Sequence, residues 1–204
     1  MKSTLVPLLP GKAYHLFNHA VGIENLFRED RNYVFFLKKF RKYATPVCRT
    51  FSYALLPNHF HFLVQIRSLT EIGSLMPSGE GSPTAESCVV FVMQQFSNLF
   101  NGYAKAYNKL YNRKGALFID YLRRKPIGDA TYFQQTVLYH HFNAVKHGFC
   151  DTPLDYRFSS YPAFLSNLPS VLERETVIQQ FGGQAAFIAR HQGYDWRFDD
   201  DLDF

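Results

Sequence analysis

Cysteine is scarce in this 204-residue chain. Cys48, Cys88 and Cys150 are odd in number, far apart and free of CxxC spacing, which excludes a disulfide framework and a zinc ribbon and fits a reducing compartment. Long apolar runs are also missing. No stretch approaches the ~18 residues that a membrane span needs, and the apolar N-terminal segment is broken by Pro7, Pro10 and Gly11. The chain is therefore read as soluble, unexported and cytoplasmic, with no membrane partner. Internal repeats are absent, which excludes a solenoid. Acidic residues are few where they would oppose a polyanion: residues 1–150 hold 18 of the 22 Lys and Arg but only 8 of the 17 Asp and Glu, whereas residues 151–204 hold 4 and 9. A basic body with an acidic tail points to a phosphate-rich partner for the body.

What the chain has in quantity is apolar and aromatic side chains. With 47% hydrophobic residues, 21 Phe and 13 Tyr it can bury a core without staples, and the same rings offer flat surfaces for unpaired bases. Tyr14 to Val21 alternates like a strand, and Arg31 to Tyr43 has helical periodicity. Phe51 to Leu56 and His59 to Gln65 are β-type runs joined by Pro57-Asn58, good hairpin chemistry. A Gly, Ser, Pro and Glu-rich stretch at about 68–88 reads as a flexible insertion. From Val92 the set Val92, Phe96, Leu99, Tyr103, Ala106 and Leu110 steps by four and three, as an amphipathic helix does. Phe118 to Arg123 reads as a strand, and Thr131 to Lys146 as a helix stopping at Gly148.

The order β-α-β-β-α-β predicts an α+β fold: a ferredoxin-like (RRM-like) four-stranded antiparallel sheet with helices on one face. Residues 1–150 form that unit, and residues 151–204 an acidic, partly helical C-terminal extension with a helix in Arg174 to Phe181.

Two segments concentrate chemistry. In Pro57-Asn58-His59-Phe60-His61-Phe62-Leu63-Val64, strand alternation sends His59 and His61 to one face and Phe60, Phe62 and Val64 to the other. At a rise of ~3.3 Å per residue the two Cα atoms lie ~6.6 Å apart, close enough for converging imidazoles to share one cation. In Tyr139-His140-His141-Phe142-Asn143, the phenol and the amide are four residues apart and share a helix face. His15 and His19 also share a strand face, and are read as structural.

These segments, "LPNHFHFLV" and "YHHFNAVKHGF", with "QQFSNLFNGYAKAYNKLYNRKGALF" between them and a fainter "DYRFSSYPAFL" downstream, resemble the REP-associated tyrosine transposases. That family belongs to the single-tyrosine branch of the HUH (His-hydrophobic-His) nucleases. The likeness covers about residues 12–165, and makes residues 1–150 the catalytic domain. It implies that His59 and His61 ligate a divalent cation, Mg²⁺ or Mn²⁺, with Asn143 as a further ligand. It also implies that Tyr139 is the nucleophile and that single-stranded or hairpin DNA is cleaved and rejoined through a 5′-phosphotyrosine. The chain departs from the family's Asn-Pro-Val at Asn143-Ala144-Val145. It also lacks the aromatic-Gln pair ahead of the last strand, reading Leu117-Phe118-Ile119-Asp120 there.

Lys105, Lys109, Arg113 and Lys114, the run Arg123-Arg124-Lys125, and Lys146 are the expected phosphate contacts. Tyr103, Tyr107 and Tyr111 read as core or helix surface. Two other classes remain open: a domesticated regulator that binds hairpin repeats without transposing, and an RNA-binding sheet, which would lean on exposed strand aromatics. The sequence leaves monomer and homodimer equally open.

Overall fold

The computed structural model describes residues 6–77, 82–119 and 121–198. Four strands, β1 (Ala13–His19), β2 (Cys48–Leu56), β3 (His59–Ile66) and β4 (Arg123–Pro126), form one antiparallel sheet in the order β2-β3-β1-β4. Helices α1 (Asp30–Tyr43) and α3 (Ala85–Leu110) supply the two crossovers, with a short α2 (Leu69–Gly73) between β3 and α3. This is the expected ferredoxin-like order.

Alternation along β3 decides where the core goes. Phe60, Phe62, Val64 and Ile66 face α1 and α3, where Phe40 stacks on Phe62 at 4.1 Å and Phe100 on Phe60 at 5.6 Å between ring centroids. Tyr103 and Tyr107 are buried in the same core, so they are packing residues, as read.

The opposite face is covered as well. Helix α4 (Ala130–Lys146), capped by Asp129 through Tyr132 N–H, lies across β2 and β3. The helices of the βαββαβ unit thus occupy one face and α4 the other. The C-terminal segment completes that second layer through α5 (Tyr161–Phe164), α6 (Arg174–Gln180) and α7 (Gln184–Gln192). Phe164, Leu172, Val177, Phe181 and Phe187 join Phe51, Leu63, Phe133, Val137 and Leu138 in a second apolar cluster. The same segment lies along the outer edge of β2, where Leu55 N–H donates to Phe158 and Glu173 N–H to Thr50. Edge strands need such cover.

Three expectations shift. The stretch at 68–88 begins and ends in helix. Ser68 and Glu71 form a capping box that starts α2, and Thr84 with Ser87 starts α3 at Ala85, seven residues before the periodic signal at Val92. Residues 78–81 lie outside the described residues. The last strand is Arg123–Pro126, and Phe118 makes only an isolated bridge to Ala20. A basic run ending in proline suits an edge strand, where a missing N–H costs no ladder bond. Among the described residues no helix is long and apolar enough to cross a membrane.

Candidate active site

The face of the sheet under α4 carries a line of imidazoles. In the β1–β3 register His19 lies opposite His59 and Phe17 opposite His61, so His15, Phe17 and His19 share a face with His59 and His61. The expected pair does converge. The His59 and His61 rings are 5.1 Å apart at 82°, with 2% and 0% of each residue exposed. His19 stacks parallel on His59 at 5.7 Å, and the exposed His147 meets the same ring from the end of α4 at 5.0 Å.

Helix α4 brings its own residues onto this line because Tyr139 and Asn143 sit one turn apart. Asn143 Oδ1 is 3.0 Å from His59 Nε2, and Tyr139 Oη is 3.5 Å from His61 Nε2. Both helical residues are buried. The structure therefore unites all four residues singled out in the sequence: His59, His61, Tyr139 and Asn143.

The surroundings of His59 test whether a cation suits the site. Nδ1 faces Asn58 Oδ1 at 2.8 Å while Nε2 faces Asn143 Oδ1 at 3.0 Å. A neutral imidazole has one N–H, so it satisfies only one of two amide oxygens. If Nδ1–H donates to Asn58, the Nε2 lone pair confronts the Asn143 oxygen lone pair, and a cation between them turns repulsion into coordination. The mixed nitrogen and oxygen donors fit Mg²⁺ or Mn²⁺, the latter more tolerant of imidazole.

Sequence reasoning missed a second set of donors. His15 Nε2 lies 2.8 Å from His61 Nδ1, and His140 Nδ1 lies 2.8 Å from Ser52 Oγ. One ring nitrogen from each of His15, His61 and His140 falls within 4.8 Å of the others, a buried donor set of the kind that can hold a metal ion. The sequence reads His15 as structural because it stands two residues farther from His19 than His59 does from His61; the β1–β3 register brings its ring beside His61. Burial, with Lys125 adding its charge, pushes His15 down to about 3, and His61 is held well below the ordinary imidazole value by burial and by the rings of His15, His59, His140 and His147. His140 is lowered in the same way, by burial first and then by His15 and His141. The cluster is therefore neutral at physiological pH, the protonation state a ligand requires.

The expected phosphate contacts divide. Opposite Phe17 and His15 in the register, Arg123 and Lys125 fall on the histidine face, and Lys146 Nζ lies 6.0 Å from the Tyr139 ring centroid. Arg124 turns to the other face, where its half-buried guanidinium meets Met93 Sδ at 2.9 Å. Lys105 and Lys109 lie on α3, behind the sheet, with Lys114 just beyond its end. Arg113 is engaged by Glu24 at 3.2 Å.

No family model matches the chain, and no curated protein does. One solved structure, that of a REP-associated tyrosine transposase bound to a REP hairpin, superposes with a TM-score of 0.53 over 84% of this chain and 90% of that one, at 15% sequence identity. The chain has the fold of a REP-associated tyrosine transposase.

Proposed function

We propose that this protein cleaves and rejoins single-stranded DNA at a hairpin, with Tyr139 as nucleophile and a divalent cation held by His59, His61 and Asn143. The observation that carries the reading is the meeting of one helix turn with one strand: Tyr139 Oη at 3.5 Å from His61 Nε2, and Asn143 Oδ1 at 3.0 Å from His59 Nε2. The structural neighbour, a tyrosine transposase bound to a hairpin, supports the choice of DNA and of reaction.

In this reading Tyr139 Oη attacks a backbone phosphorus, forming a P–O bond to the phenol oxygen as the bond to the DNA 3′ oxygen breaks. The phenol proton leaves and the 3′ oxygen gains one, giving a 5′-phosphotyrosine and a free 3′ hydroxyl. A phenolate leaves more readily than an alkoxide, so a DNA 3′ hydroxyl can reverse the step without ATP. The cation, when bound, would polarise the phosphate and offset charge developing on it. The His61 ring packs edge-on against the phenol, and the packed rings of His19 and His147 fix His59. Arg123, Lys125 and Lys146 carry positive charge on the face that the DNA backbone would cross. Burial of Tyr139 on the sheet-facing side of α4 limits competition from water.

The alternative, a regulator that binds the hairpin without cutting it, has the same fold and the same basic face. Incubation with hairpin DNA carrying a single-stranded flank, in Mn²⁺, separates the two on a denaturing gel. The enzymatic reading expects a covalent protein–DNA species that EDTA prevents. Tight binding with no covalent species in any divalent cation supports the regulator.

A further inference from the structure

We propose that His15 is a positioning residue for the metal centre: it accepts the Nδ1–H of His61 and so fixes the tautomer that leaves the His61 Nε2 lone pair, on the side toward Tyr139, for the cation. The inference rests on the reading of His61 as a ligand and adds a residue that the two sequence motifs do not contain.

A neutral imidazole that ligates through one nitrogen carries its proton on the other, and that N–H needs an acceptor. For His59 the acceptor is Asn58 Oδ1 at 2.8 Å from Nδ1; for His61 the atom at the same distance from Nδ1 is His15 Nε2. Both ligands are thus backed in the same sense, with Nε2 directed to the α4 side. The direction continues inward. His140 sets Nδ1 against Ser52 Oγ at 2.8 Å, and where Nδ1–H donates to that hydroxyl, Nε2 is its lone-pair nitrogen. His15 Nδ1 and His140 Nε2 have no hydrogen-bond partner among the described residues, and their rings lie 4.9 Å apart. With His15 accepting at Nε2, its proton sits on Nδ1, and the two unpartnered nitrogens are a donor and an acceptor rather than two of a kind.

Distance argues against His15 as a ligand itself. Two ligand atoms at right angles on an octahedral ion at ~2.1 Å are ~3.0 Å apart, the separation of His59 Nε2 and Asn143 Oδ1, whereas His15 Nε2 and His61 Nδ1 are 2.8 Å apart, a hydrogen-bond length. The Lys125 ammonium beside His15 also opposes a second dication there.

Two measurements test the proposal independently of catalysis. Long-range ¹H–¹⁵N correlation spectra of the metal-free protein report the tautomer of each histidine. The expected result is His61 protonated on Nδ1, a pattern lost in His15→Phe; a wild-type His61 protonated on Nε2 overturns the proposal whether or not metal binds. Mn²⁺ binding followed by electron paramagnetic resonance should weaken about 10- to 100-fold in His15→Phe. His15→Gln, whose amide oxygen can still accept, should recover most of that loss. Equal loss in His15→Phe, His15→Gln and His140→Ala would make the three imidazoles the ligand set and overturn it. If wild-type protein binds no Mn²⁺, the metal reading fails by itself and the tautomer spectra still decide the role of His15. Should His15→Phe fail to fold, the spectra of wild type and His15→Gln carry the test, with the Nδ1–H of His61 expected in both.

Discussion

The two faces of one sheet have been put to opposite uses. Toward α1 and α3, β3 presents Phe60, Phe62, Val64 and Ile66 to a close-packed aromatic core; toward α4 it presents His59 and His61 among further buried polar groups. The first arrangement lowers the free energy of folding, since each large apolar side chain removed from water contributes roughly 1.5–3 kcal/mol. The second raises it. Imidazoles held away from water, two of them with a nitrogen lacking a partner among the described residues, cost stability that the apolar face must offset. Buried, incompletely satisfied polar groups in a sheet that could have been apolar on both sides are a sign of function.

The sharpest way to break this comparison is to mutate each face and measure urea unfolding. Phe62→Ala should destabilise by about 3–5 kcal/mol, as expected for a truncated core aromatic. The paired change of His15→Leu with His61→Leu removes both partners of one buried contact, and it should be close to neutral. Equal losses on the two faces would show that the histidines are part of the stabilising core.

As pH falls below 6.5, acid should act first on the buried histidines. His15 is held to about 3 and His191, which meets His141 at 2.8 Å in the second layer, to about 4, both chiefly by burial, against an ordinary 6.5. Below about 6.5 the unfolded chain takes up protons that the folded protein refuses, so stability falls as pH drops from about 6.5 toward 4. For His191 the loss is on the order of 3 kcal/mol by pH 4. His191→Leu should flatten that part of the curve in denaturant titrations run at several pH values. A pH-independent midpoint across the window contradicts the assignment of neutral buried imidazoles.

The smallest effect concerns DNA. Removing Arg123 and Lys125 together should weaken hairpin binding and lower the slope of log affinity against log salt by roughly 0.7 per lost contact on a single strand. Removing Arg124, turned toward Met93, should leave the slope unchanged. Fluorescence anisotropy at several salt concentrations distinguishes the two, and a larger slope change for Arg124 than for the pair would reverse the assignment of faces.

Much of this was legible in the sequence because the decisive signals are local. Strand alternation alone separates His59 and His61 from Phe60 and Phe62, and a spacing of four alone places Tyr139 with Asn143. The strand order follows from the succession of elements. What stayed hidden depends on contacts between distant segments. His15 is a plain strand histidine until the β1–β3 register sets its ring beside His61, and His140 gains meaning only when α4 lies over Ser52. The run Arg123-Arg124-Lys125 looks uniform, yet alternation on an edge strand sends its middle residue to the other face. The C-terminal segment has no strong period because its apolar residues are spread over short helices and loops that meet only in the second layer. Two capping boxes around the Gly and Ser-rich stretch were present in the sequence but were outweighed by its composition.

The central claim is that the oxygen of Tyr139 becomes joined to DNA. Tryptic digestion of the covalent species formed in Mn²⁺, followed by mass spectrometry, locates the modified residue. The account predicts a nucleotide 5′ phosphate on Tyr139 and no adduct in Tyr139→Phe, which loses one oxygen and keeps the ring that packs against His61. An adduct mapped to another tyrosine such as Tyr132, or one that persists in Tyr139→Phe, would contradict it.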